Sequence, residues 1–364
     1  MNTDNDQLEP IRNQIDKIDS ELLALLNQRA ECAIEIGKLK ISQDPQEDVS
    51  FYRPERVELV RKRLVQENTG PLRPEHVSAI FNEIMSSCLG LEQEITVAYL
   101  GPQGTFSEAA VLKQFGNAIG TEPVLSIDEV FRAVESGSAN FGVVPVENST
   151  EGMVSQTLDC FVRSNLNICA EVELPINQCF LRKPNASEAL REIVSHGQSL
   201  AQCRSWLDSH YREIPRRSVA SNAEAARLAS EDSGVAAVAG EIAANQYGLS
   251  ILTPNIEDNP GNKTRFLVIG RQKTGTSGND KTTILVAVRN KSGALYEVLE
   301  PFKDMAIGLS RIETRPSGSG DWSYLFFIDF DGHVEDQKVD RVLAKVKELT
   351  LSLKVLGSYP SAAE

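Results

Sequence analysis

The sequence predicts a multidomain chain: an all-α first segment, an α/β second and an α+β third. Three observations carry this reading. Apolar residues repeat in heptads from Leu8 to Leu39. Beyond residue 94 the period switches to short apolar runs that alternate with helical stretches. From residue 281 the elements read in the order βαββαβ.

Bulk properties bound the class. A chain of 364 residues has room for two or three domains, each with its own core. Its 41% hydrophobic and 24% charged content is ordinary for a globular protein. No apolar run is long enough to cross a bilayer, and residues 1–10 are acidic and polar, unlike a signal peptide, so no membrane is expected. Six cysteines without a CxxC pair suit reduced thiols in the cytoplasm. Four histidines, none at ligand spacing, give no metal site. A net charge of −14 argues against nucleic acid, so attraction for an anion must come from local clusters.

In the first segment (1–93) two apolar rows run along one helix. Leu8, Ile15, Leu22 and Ile36 form one; Ile11, Ile18, Leu25, Cys32 and Leu39 form the other. Leu8 to Lys40 spans about 50 Å as helix, which needs partners along its length. Pro54 opens a second helix that closes at Gly70-Pro71, and Pro74 opens a third that runs to Leu91. Three such helices do not close a globule, so a homodimer or higher even oligomer is expected. Arg29 falls on the first apolar row between Leu22 and Ile36, and its guanidinium cannot shed its proton to escape burial. Either a carboxylate of the protein or an anionic ligand must meet it. Lys40, eleven residues on, lies about 20° around the helix and shares its face. Arg12 points about a quarter turn away, badly placed for the same pocket within one chain.

The residues around Leu8-x-x-x-Arg12, Ile18-Asp19-x-Glu21-Leu22-Leu23-x-Leu25-Leu26-x-x-Arg29 and Glu35-Ile36-Gly37-x-x-Lys40 resemble the all-helical class of chorismate mutases. That family rearranges chorismate to prephenate by orienting the substrate and stabilising charge on the breaking ether oxygen. The resemblance implies that Arg29 and a partner subunit's Arg12 hold carboxylates. Lys40 would donate to the ether oxygen, and Arg56 would line the pocket. Four positions depart from the family pattern. Arg53 and Val57 stand where an Asp and a Glu are usual, and neither Glu55 nor Glu58 has the helix phase of an obvious substitute. Cys88 stands for a Ser, and Glu92 for a Gln that donates to the ether oxygen. A carboxyl group donates only when protonated, so the expectation is a mutase favoured at lower pH.

The second segment (94–273) has strand-like runs at 95–100, 141–146, 234–239 and 266–269. The first enters Gly101-Pro-Gln-Gly-Thr-Phe-Ser107 and a helix, a turn whose amides suit an anion, with Thr105 or Ser107 as cap. The second ends at Glu147-Asn-Ser-Thr150 before another helix, where Ser149 reads as an N-cap. Together with Asn255-Ile-Glu-Asp-Asn-Pro-Gly-Asn-Lys-Thr-Arg-Phe266 and Ser195-His-Gly-Gln-x-x-x-Gln202, these motifs closely resemble prephenate dehydratase. The resemblance implies two α/β lobes with the site in their cleft, no cofactor and no metal. Thr264 would assist the leaving hydroxyl, Arg265 would hold a carboxylate or brace its loop, and Phe266 would pack the ring. Glu147, Asn148, Ser149, Thr105, Ser195 and Gln202 would orient the substrate.

Residues 274–280, Thr-Gly-Thr-Ser-Gly-Asn-Asp, read as a flexible linker. The third segment (281–364) reads as strand 282–288, helix from 293, strand 306–312, strand 322–330, helix 339–349 and strand 353–357, a ferredoxin-like order. Gly293-Ala294-Leu295-Tyr296 and Glu313-Thr314-Arg315-Pro316 resemble the ligand motifs of the ACT domain, with Tyr296 and Thr314 as variants. That implies binding of L-phenylalanine between subunits and feedback inhibition. The whole order resembles the bifunctional chorismate mutase–prephenate dehydratase family. A two-lobed α/β cleft also resembles solute-binding sensors, but the charged helical seam and the Thr264-Arg-Phe266 motif favour an enzyme.

Overall fold

The computed structural model describes residues 3–43, 52–186, 188–316 and 324–362. The chain forms two compact units interleaved along the sequence. One gathers Met1–Arg53, Val60–Ile95 and Phe115–Gly120; the other gathers Pro54–Leu59, Thr96–Gln114 and Thr121–Glu364.

The helical unit is built on α1 (Thr3–Gln43), the part of α2 (Pro54–Glu67) from Val60 onward, and α3 (Pro74–Glu92). Proline occupies the start of both α2 and α3, where its fixed φ is already helical and its missing N–H costs nothing. Ala33, Gly37 and Lys40 form the face that α1 turns to α3. Gly37 lets the two helices approach closely there: a Cβ would stand 3.2 Å from the Glu92 carbonyl oxygen and 3.3 Å from its Cα, a tight fit that α3 would have to shift slightly to accept. Val77 and Cys88 are buried on α3. Phe115 packs on Tyr52 with ring centroids 4.6 Å apart, and Ser86 Oγ accepts from the Ala118 amide at 3.2 Å. The heptad rows are not covered by α3. Within this chain their large aliphatic residues from Leu8 to Leu39 stay 47–60% exposed, and Cys32 is exposed too.

The other unit begins β1 (Thr96–Leu100), α4 (Phe106–Phe115), β2 (Gly120–Val124), α5 (Ile127–Ser136), β3 (Phe141–Asn148), β4 (Gly152–Met153), α6 (Ser155–Arg163) and β5 (Asn167–Pro175). It continues β6 (Cys179–Arg182), β7 (Glu192–His196), α7 (Gly197–Gln202), α8 (Arg204–His210), β8 (Arg216–Val219), α9 (Asn222–Glu231), β9 (Val235–Ala239), α10 (Glu241–Tyr247), β10 (Ser250–Thr253) and β11 (Lys263–Gly270). Two mixed sheets result. One has the order β2-β1-β3-β11-β5 with β4 paired to β3, the other β10-β6-β9-β7-β8. The chain crosses to the second sheet after β5 and returns as β11, which lies antiparallel between β3 and β5. The five residues of β9 are all buried, as a central strand covered on both faces must be.

The rest folds as β12 (Asp280–Val288), α11 (Ala294–Asp304), β13 (Leu309–Pro316), β14 (Tyr324–Asp331), α12 (Gln337–Leu349) and β15 (Ser352–Pro360). Its sheet order is β13-β14-β12-β15. Strand alternation splits its apolar residues between two cores. Ile284, Val286, Phe326, Ile328 and Phe330 pack under α11 and α12. Leu285, Phe327, Leu356 and Tyr359 join Leu158, Phe161, Ile168 and Leu267 on the other face.

Two expectations differ from the structure. The strand expected at 306–312 begins only at Leu309, because Ala306 has φ 52° and completes a turn. Trp322, expected to open the next strand, lies outside the described residues. The segment 274–280 is held and not loose. The Asp280 carboxylate accepts from Ser277 N, Ser277 Oγ, Gly278 N and Thr276 Oγ1 at 2.6–3.1 Å, and Thr274 and Ser277 are buried. Composition reads Gly and Ser as flexibility; a single carboxylate that satisfies the turn's donors overrides it.

Candidate active sites

In the helical unit Lys40 Nζ donates to Glu92 Oε2 at 3.1 Å, with both side chains largely buried. Arg29 is half-buried on the same helix, and Cys88 is buried one turn before Glu92. The structure therefore groups Lys40, Glu92 and Cys88 where α1 meets α3. Arg12 is exposed, beside Glu9 at 3.9 Å, and lies about 26 Å along α1 from Arg29. Arg53 and Arg56 are exposed at the start of α2, and Val57 is half-buried. Glu55 packs against Gly275, and Glu58 is buried.

The other unit contains a cavity of about 1400 Å³ lined from both of its mixed sheets. Thr264 and Phe266 enter from β11, and Asn148 and Pro145 from β3. Pro145 and Asn148 are three residues apart, which on a regular strand would place them on opposite faces. A bulge resolves this: Arg265 pairs with Glu147, whereas Phe266 pairs with Pro145, so Val146 is the extra residue. Across the two strands Asn148 Nδ2 donates to Thr264 Oγ1 at 2.8 Å. The amide cannot turn around, because Asn148 Oδ1 accepts from the Thr150 and Glu151 amides at 3.0 and 3.2 Å. Thr264 therefore accepts on its oxygen, and its own proton is available to a ligand in the cavity.

Thr105 and Gln202 also line the cavity. Thr105 caps no amide; its hydroxyl donates to Leu100 O at 3.3 Å. The Gly104 amide is taken by the Glu108 carboxylate at 2.5 Å, so the anion-binding turn expected there is partly filled by the protein's own acid. The N-terminal ends of α4 and α9 open onto the cavity, and their partial positive charge suits an anion. Arg217 lines it as well, held by Glu192 through two bonds of 2.9 and 2.8 Å; that pairing raises its proton affinity further.

Four residues expected at the site lie elsewhere. Arg265 points away from the cavity, since neighbours on a strand alternate faces. It binds carboxylates of the protein: Glu171 at 2.7 Å and Asp329 at 2.7 Å, with Tyr359 accepting at 3.0 Å. Burial alone would raise the Glu171 carboxyl, but Arg265 and Lys281 outweigh it and hold the group below its ordinary range. Tyr359 is pushed far up by burial. Glu147, opposite Arg265, pairs with Arg311 of β13. Ser149 caps no helix, because α6 starts later at Ser155; its hydroxyl binds Asn262 Oδ1 and accepts from the Lys263 amide. Ser195 is fully buried, its one hydroxyl proton shared between Val238 O at 2.5 Å and Asn222 Oδ1 at 3.0 Å, and Asn222 lines the cavity. Sequence reasoning missed Gln178, between β5 and β6, and Asn222, which opens α9, as well as Ser199, which fills an unspecified position of the Ser195–Gln202 motif on α7.

Of the third-segment motifs, Gly293 takes φ 81° before α11, a conformation glycine adopts without strain. Ala294 is buried and Leu295 half-buried behind it. Glu313, Thr314, Arg315 and Pro316 lie on the edge strand β13. Val288, Tyr324 and Pro316 share one row of the sheet, so both motifs sit at the same end. Arg315 is engaged by Asp159 of α6 at 2.6 and 2.7 Å and by Ser155 at 2.9 Å.

All six cysteines are free. Among the described residues no helix is long and apolar enough to cross a membrane, and no cluster of His, Cys, Asp or Glu could hold a metal. Residues 11–93 match the family model "Chorismate mutase type II", and residues 97–274 match "Prephenate dehydratase". A bifunctional chorismate mutase/prephenate dehydratase of Stutzerimonas stutzeri is 52% identical over 98% of both chains. One of Pseudomonas aeruginosa is 52% identical over 99% of both. The solved prephenate dehydratase of Arthrobacter aurescens, in complex with L-Phe, is 36% identical with a TM-score of 0.67, covering 73% of this chain and 90% of its own. The chain therefore belongs to the bifunctional chorismate mutase/prephenate dehydratase family, whose members rearrange chorismate to prephenate and convert prephenate to phenylpyruvate.

Proposed function

We propose that the cavity at Thr264 is the dehydratase site and that the α1–α3 junction is the mutase site. The observation that carries the first is the one-way hydrogen bond from Asn148 to Thr264, which leaves a hydroxyl proton aimed at substrate. Thr264 donates to the ring hydroxyl as its C–O bond breaks. The bond to the ring carboxylate breaks with it, its electrons complete the aromatic ring, and carbon dioxide and hydroxide leave, the hydroxide taking its balancing proton from solvent while Thr264 keeps its own. The protein's tasks are to bind, orient and hydrogen-bond the leaving group. Asn148 and Gln202 orient the substrate, while Phe266 packs its ring.

In the mutase, Arg29 and Lys40 of one chain work with Arg12 of a second copy, because one helix cannot bring Arg12 and Arg29 to the same molecule. The exposed apolar rows of α1 are the surface that the second copy covers, making a homodimer or a higher even oligomer. The organisation is mutase 1–93, dehydratase 94–273 in two lobes, a connector at 274–280 and an ACT-type ferredoxin-like domain at 281–364, in a cytoplasmic protein. Phenylalanine inhibits by binding near Gly293 and Glu313–Pro316; the L-Phe held by the Arthrobacter relative supports this.

Chorismate added to the purified protein should yield phenylpyruvate, read by its absorbance in base. Assaying chorismate loss and prephenate loss separately tests each half; no turnover in either assay would overturn that half. Glu92 must be protonated to donate to the ether oxygen, so Glu92→Gln is expected to flatten the acid-favoured pH–rate profile of the mutase. An unchanged profile would remove Glu92 from the chemistry.

A further inference from the structure

The dehydratase cavity is lined by one buried polar group that the protein leaves unsatisfied. Gln178 lies between β5 and β6, is 1% exposed and lines the cavity. Its backbone is fully engaged, the amide donating to Glu257 Oε2 and the carbonyl accepting from the Ile256 amide, both at 2.8 Å. Its side-chain amide donates to Ser199 Oγ at 3.2 Å, but its Oε1 has no partner. The Ser199 oxygen that it meets has a second donor. Asn222 Oδ1 accepts from Ser195 Oγ and the His196 amide, which directs Asn222 Nδ2 to the same Ser199 oxygen at 2.9 Å.

A buried acceptor without a donor is costly, and one that lines a ligand cavity calls for a donor on the ligand. Prephenate offers few. Its two carboxylates and its ketone only accept at neutral pH, and its sole donor is the ring hydroxyl, the group the reaction expels. Leu174 of β5 lies opposite Thr264, the strand ends at Pro175, and Gln178 follows three residues on; both Gln178 and Thr264 line the cavity. We infer that Gln178 reads the leaving hydroxyl: Oε1 accepts its hydrogen while Thr264 donates to its oxygen. The inference rests on the dehydratase assignment of this cavity. It makes Gln178 a determinant of specificity between substrate and product. Phenylpyruvate has no such hydroxyl, so the acceptor is stranded again once the reaction has occurred and the product is held less well.

Gln178→Met keeps length and volume but removes the acceptor. The expected result is a fall in dehydratase kcat/KM of roughly 10–100-fold, the factor that a stranded buried hydrogen-bonding group usually commands. Competitive inhibition by phenylpyruvate should be unchanged, and so should mutase turnover. Equal losses for prephenate and phenylpyruvate would mean that Gln178 only supports the wall through Ser199, and no loss for either would mean that it touches neither; both overturn the inference. Gln178→Glu keeps an oxygen at the same place, so it should restore kcat over the Met variant while raising KM for a dianionic substrate. A Glu variant with kcat no better than Met overturns the inference as well. The underlying assignment fails separately: if Thr264→Ala keeps its dehydratase activity, the cavity is not the site.

Discussion

Thr264→Ala is expected to lower dehydratase turnover by about 10²–10⁴-fold, the range for loss of a positioned proton donor, while sparing the mutase. The size follows from what the substitution strands. Asn148 Nδ2 loses its acceptor, and in the proposed mechanism the leaving hydroxyl loses its donor. Thr264→Ser retains the hydroxyl and should keep most of the activity, because the Asn148 amide still fixes which way the proton points. Parallel assays of prephenate and chorismate consumption decide the matter. Survival of dehydratase activity in the Ala variant would exclude Thr264, and loss of both activities would point to misfolding.

The other large effect is expected one residue away and is structural. Arg265→Met leaves Glu171 and Asp329 buried without their shared cation, and breaking a buried pair costs about 3–5 kcal/mol. Lys281 still reaches Glu171, and Thr283 still donates to Asp329, which favours the lower figure. At roughly 2–4 °C per kcal/mol in a unit of this size, the melting temperature should fall by about 10 °C. The sign of the pH dependence identifies the cause. Glu171 is held below its unfolded value of 4.5, so its contribution is full above that pH and fades as pH falls through the folded value. The gap between parent and variant should therefore narrow in acid, because a neutral carboxyl needs no cation. A gap independent of pH would mean that only packing was lost.

How far the sequence could be read depends on how local each cause is. The heptads of α1 and the prolines that open α2 and α3 act within a few residues, and both were legible. Thr264, Asn148 and Gln202 were reachable because they sit in contiguous motifs. The fate of Arg265 was not, for its partners lie on β5 and β14, far along the chain. The bulge at Val146 was equally hidden, since only pairing with β11 reveals that Pro145 and Asn148 share a face. Segment 274–280 misled for a related reason: its composition lacks a core, yet Asp280 supplies one acceptor for four donors. Gln178 and Asn222 carry no local signature, Ser199 fills an unspecified position of the Ser195–Gln202 motif, and the three meet only through the fold.

β11 joins these threads. Thr264 and Arg265 are consecutive, one facing the cavity and the other the ion network behind it. A slip of one residue would exchange them, putting a guanidinium among the substrate's neighbours and a hydroxyl among buried acids. The charges behind the strand thus act as an address label. By making every other alignment costly, they let a chemically modest threonine arrive at one position only, and the C-terminal sheet that carries half of those charges becomes a guardian of register at the proposed dehydratase site.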